Sequence, residues 1–84
     1  MEPTQHQAVI AKRIITTATE RGPDKSTCPS EIARMLFPDD WRDHMKAVLG
    51  VAIDLVRQGK VMITKKGEAV DINNIKGAVR IKIV

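Results

Sequence analysis

The spacing of apolar residues in this chain changes once, at Gly59, and that change limits the fold more than any other feature. Before it, apolar side chains recur every three or four positions, the period of helices packed on one face. After it the period is two. Val61 and Ile63 face one way, with Lys60, Met62 and Thr64 facing the other. Val79, Ile81 and Ile83 repeat the pattern against Arg80 and Lys82. Helices followed by half-buried antiparallel strands with a basic outer face are therefore expected.

Local signals divide the helical part into three, near residues 4–21, 30–37 and 40–58. Thr4 and Gln7 form a capping box that opens the first helix. Its apolar stripe is Ala8, Ala11, Ile15 and Ala18, with Ile10 and Ile14 alongside. Gly22-Pro23 closes it, because Gly adopts the cap conformation and Pro cannot continue a helix. A loop over residues 24–29 holds a short extended piece at Ser26–Cys28. Ser30 is the expected cap of the second helix, in which Ile32 pairs with Leu36 and Ala33 with Phe37. Pro38 stops it. Asp39 or Asp40 caps the third helix, whose stripe is Met45, Val48, Ala52, Leu55 and Val56. The second and third helices form a helix-turn-helix in outline.

Beyond Gly59, Lys65-Lys66-Gly67-Glu68 reads as a turn. Val70 and Ile72 suggest one more extended piece, and Asn73-Asn74 and Gly77 mark a loop. Three helices followed by a basic hairpin or meander is the element order of a winged helix, an α+β fold. At 84 residues the chain has room for one such domain, residues 1–84. With only Trp41 and Phe37 as aromatic residues, its core is aliphatic.

Composition removes several function classes. Cys28 is the only cysteine, so neither an internal disulfide nor a cysteine-based zinc site can form. His6 and His44 lack ligand spacing, no spacing makes either a partner for Cys28, and no glycine-rich phosphate loop occurs. An enzyme is not expected; neither a catalytic residue, a cofactor, a metal nor a small-molecule substrate is evident. Met1-Glu2-Pro3-Thr4 lacks the basic start and apolar run of a signal peptide. The apolar stretch at residues 47–56 is too short to span a bilayer and contains Asp54. The expectation is a cytoplasmic protein that avoids membranes.

Charge is distributed unevenly. Residues 57–84 hold seven basic side chains and two acidic ones, whereas residues 1–56 hold seven basic and eight acidic. A positive field confined to the strands suits a polyanion, although a solvated strand face would look the same. Lys60, Lys65, Lys66, Arg80 and Lys82 are the candidate phosphate contacts of the wing. In helix-turn-helix proteins the second helix of the pair enters the major groove. Arg42 and Lys46, one turn apart on that helix, are the candidates to reach a base edge or a phosphate, unless nearby acids pair with them. Residues 31–56 carry three basic groups against five acidic ones, so the wing is better equipped than the helix. Without aromatic residues on the strands, stacking on single-stranded bases is unsupported.

Several motifs then line up in order: Arg21-Gly22-Pro23, Cys28-Pro29-Ser30-Glu31-Ile32-Ala33-Arg34, Asp40-Trp41-Arg42 with Met45, Gly59-Lys60, Lys66-Gly67, and Lys76-Gly77 with Arg80. On these residues the chain resembles a bacterial family of small winged-helix domains catalogued as a domain of unknown function. The resemblance implies the fold and no activity. Relatives tend to carry arginine near the middle of the third helix, where this chain has Leu49 and Gly50, which speaks against a base-reading role for that helix.

Two functional readings remain. In the first, the chain binds nucleic acid, with duplex DNA contacted through the basic wing at low specificity in a transcription-related role. In the second, it is a protein-interaction or homodimerisation module that uses Leu49 and Ile53 as an exposed apolar strip.

Overall fold

The computed structural model describes residues 5–73, 75 and 78–84, with the side chains of residues 5 and 6 excepted. The Thr4 cap, the His6 side chain, Asn74, Lys76 and Gly77 lie outside them.

Helix α1 spans Gln5–Arg21. Its buried face is Ile10, Ile14, Thr17 and Ala18, while Ala8 is exposed and Ala11 and Ile15 are half-buried. The stripe is thus rotated from the one expected. The two isoleucines remove more apolar area from water than the alanines, and burial follows area. At Gly22, φ is +81°, and its N–H donates to the Ala18 and Thr19 carbonyls, closing the helix.

Helix α2, Pro29–Leu36, begins one residue before the expected start. Cys28 is the cap residue and Pro29 takes the first helical position, where its missing N–H costs nothing. Ser30 is therefore inside the helix. An ion pair between Arg21 and Glu31 ties α1 to α2, and the Arg21 guanidinium also donates to the Ser26 carbonyl.

The third helical segment is composite. A 3₁₀ turn at Trp41–His44 leads into α3, Met45–Arg57. Neither Asp39 nor Asp40 caps α3. The Asp40 carboxylate instead meets His44 Nε2 at 3.1 Å, and the His44 ring stacks on Phe37 with centroids 3.7 Å apart. The Arg34 and Arg42 guanidiniums lie over the Trp41 ring at 4.3 and 4.8 Å. These ring contacts hold the α2–α3 connection together.

Strands β1 (Val61–Lys65), β2 (Glu68–Ala69) and β3 (Arg80–Ile83) form an antiparallel sheet in the order β2-β1-β3. The expected extended piece before α2 exists at Thr27. Its N–H donates to the Ile81 carbonyl at 2.8 Å, and the Ile81 N–H returns the bond at 2.6 Å. β3 therefore lies between Thr27 and β1. With the turn and loop between β1 and β3 forming the wing, this is a winged-helix arrangement of an α+β fold. The extension expected at Val70 and Ile72 is not a strand: β2 ends at Ala69, and Ile72 lies in a turn.

The core is one aliphatic cluster between the helices and the inner sheet face. Ile10, Ile14, Ile32 and Ile81 are fully buried there, with Ile63 at 2% exposure. Each contributes roughly 1.5–3 kcal/mol of transfer free energy, which replaces the missing aromatic core.

Candidate nucleic-acid interface

The sheet register decides where the wing's charges go. Met62 pairs with Lys82 and Thr64 with Arg80, so Arg80 and Lys82 share the outer face with Met62 and Thr64. Lys65 has the parity of Val61 and Ile63, which puts it on the helix side at the far end of β1. Lys66 follows at the tip. Residues 66 and 67 have φ of +53° and +83°, the positive pair that a tight two-residue hairpin turn requires, and the expected Lys65-to-Glu68 turn is present.

The seven candidate residues therefore do not form one continuous surface. Lys46 on the first turn of α3, Lys65, Lys66 and Arg80 border one cleft of about 640 Å³ between the start of α2, α3 and the wing. Lys60 precedes β1 at its opposite end, roughly five strand residues or about 16 Å from Lys65. There its carbonyl accepts the Val84 N–H. Lys82 is half-buried on the outer face. Arg42 is exposed but lies over Trp41.

Two further expectations need correction. Leu49 and Ile53, expected as an exposed strip on α3, are both half-buried and pack against the core cluster. The exposed positions on α3 are Lys46, Ala47, Gly50, Asp54 and Arg57. The cause is a slight rotation of the helix: Val48, Val51, Ala52 and Leu55 point inward, which leaves 49 and 53 on the flank. Thr64, expected to face solvent, is 5% exposed. Its strand partner Arg80 reaches over the sheet edge, donating through Nε to the Ser26 hydroxyl and through a terminal nitrogen to the Ser26 carbonyl at 3.0 Å.

The cleft floor is apolar. Cys28, Pro29, Met45, Leu49 and Val79 line it, and Cys28 Sγ lies 3.2 Å from the Ser30 hydroxyl. Sequence reasoning assigns Met45 and Val79 to packing, leaves Cys28 and Pro29 in the loop before α2 and gives Leu49 to an exposed strip; the only signal that groups any of them is the Cys28-Pro29-Ser30 motif. His44 is held by Phe37 and Asp40, on the 3₁₀ turn. Among the described residues no group of three His, Cys, Asp or Glu side chains is arranged to hold a metal ion. No described helix is long and apolar enough to cross a membrane.

Residues 7–84, from α1 to β3, match the family described as Protein of unknown function (DUF3253). The chain belongs to that family. No curated protein matches the chain significantly. For this member of the DUF3253 family, then, function is read from the cleft and its charges.

Proposed function

We propose that this domain binds duplex DNA with little sequence preference, in a transcription-related role, through the wing tip and the first turn of α3. The observation that carries the reading is that Lys46 and the Lys65-Lys66 turn border the same cleft although they come from different elements. A winged helix that sets its third helix in a major groove brings its wing against the flanking phosphates, and both ends of this surface present ammonium groups.

Low specificity follows from what α3 offers to base edges. Beyond Lys46, the exposed positions on the first two turns of α3 are Ala47 and Gly50, neither of which has a side-chain donor or acceptor. Asp43 and Asp54 oppose phosphate on the same segment. Lysines on a turn neutralise phosphate without reading bases. The same reading puts the domain in a bacterial cytoplasm, where a lone thiol stays reduced.

Fluorescence anisotropy with random and A·T-rich duplexes across a salt series tests the proposal. Affinity should be nearly equal on all duplexes and fall steeply with salt. Absence of binding at low salt overturns it.

A further inference from the structure

We propose that the cleft between α2, α3 and the wing is a binding site for a small amphipathic organic anion: an apolar ring system or short chain that carries one carboxylate. Three observations converge on this. First, the volume of about 640 Å³ lies within the range of small-molecule sites, roughly 300–1,000 Å³. Second, the floor is made of carbon and sulfur: Pro29, Met45, Leu49 and Val79 meet there, with the Cys28 thiol among them. Val79 and Pro29 are buried in the core side of the wall, and Met45 and Leu49 are half-buried along α3. Third, the charge at the mouth has one sign. Lys46 and Lys66 are exposed on different walls, and no carboxylate occurs among the described residues that line the cleft.

These features select one ligand chemistry. A phosphodiester keeps its water and gains nothing from an apolar floor. A neutral hydrocarbon fills the floor and ignores the lysines. A ligand with an apolar body and an anionic end uses both: the body removes apolar area from water, and the carboxylate accepts hydrogen bonds from ammonium groups in a partly desolvated mouth. Met45 adds adaptability, since an unbranched thioether reshapes to the occupant at low cost. If the domain also binds duplex DNA, the two anions compete for Lys46 and Lys66.

The test uses the whole chain and no nucleic acid, so it stands or falls apart from the DNA reading. Naphthalene-2-carboxylate is titrated into ¹⁵N-labelled protein, beside the neutral naphthalene-2-methanol and inorganic phosphate. Saturable shifts are expected at the amides of Cys28, Ser30, Leu49 and Val79. Affinity should be about tenfold weaker for the alcohol, the scale of one charge-assisted hydrogen bond. Phosphate should leave these amides unmoved. K46Q combined with K66Q, both at exposed positions, should weaken the carboxylate by a similar factor and leave the alcohol unchanged. Alkylation of Cys28 by iodoacetamide, read by mass spectrometry, should slow when the carboxylate is bound. Lack of saturation overturns the proposal, as do equal affinities for acid and alcohol. A second, smaller groove lies between α1 and the end of α2, lined by Val9, Lys12, Arg13, Thr16 and Leu36, and saturable shifts centred there also overturn it.

Discussion

Arg80 holds Ser26 by two hydrogen bonds across 54 positions of sequence, one to the hydroxyl and one to the backbone carbonyl. The same Ser26 carbonyl accepts from Arg21, so the loop before α2 is fixed from both ends of the fold. Arg80 is thus a structural residue of the wing's base. Arg80→Ala should lower stability by about 1–2 kcal/mol, the scale of hydrogen bonds from a charged donor, in urea denaturation followed by Trp41 fluorescence. Lys82→Ala, on the same sheet face, should leave the midpoint nearly unchanged.

Thr27 is fully buried, and its hydroxyl has no hydrogen-bond partner among the described residues. Its backbone, by contrast, is doubly bonded to Ile81. Valine has nearly the same shape and no hydroxyl to desolvate. Thr27→Val should therefore raise stability by about 1 kcal/mol, seen as a higher urea midpoint at constant m-value. A loss of stability on this substitution contradicts the assignment.

The wing turn depends on two residues with positive φ. At Gly67 nothing lies within 4 Å of an added Cβ, so Gly67→Ala meets only backbone strain. The cost should be about 1–2 kcal/mol, read as faster amide exchange of Val70, whose N–H donates to Ile63. Lys66→Gly, at the neighbouring positive φ, should keep or slightly improve the protection of that amide, since it relieves a non-glycine residue of the same strain.

The division of the basic residues between two surfaces predicts a division of their effects on DNA. Lys65→Ala with Lys66→Ala should flatten the slope of log K against log salt by roughly 1 for each phosphate no longer neutralised, and Lys46→Ala should act in the same direction. Lys60→Ala with Lys82→Ala removes the same charge from positions away from the cleft and should have a much smaller effect. Equal effects from the two pairs argue for a diffuse field instead of a defined surface.

Local physics makes much of this legible in sequence. The stop at Gly22, the Lys66-Gly67 turn, the alternation in β1 and β3 and the extended residue near Thr27 all depend on neighbours within a few positions. What sequence reasoning misplaces depends on distant partners. Asp40 looks like a helix cap until His44 is seen to bind its carboxylate. Leu49 and Ile53 look exposed until helix packing turns α3 toward Val51. Thr64 looks like a solvent-facing strand residue, yet in the folded sheet it is 5% exposed. The five wing cations read as one surface only while Lys65 is counted with the turn; alternation carried to the end of β1 puts it on the face of Val61 and Ile63.

The position of β3 has a consequence for how the protein comes into being. The strand that joins Thr27 to β1 is supplied by residues 80–83, which the ribosome makes after every other element of the fold. Until they emerge, β1 offers an unpaired backbone edge and the extended residue before α2 has nothing to pair with. Completion of the sheet therefore rests on pairings distant in sequence, Thr27 with Ile81 among them, and such non-local contacts are the slow ones to form.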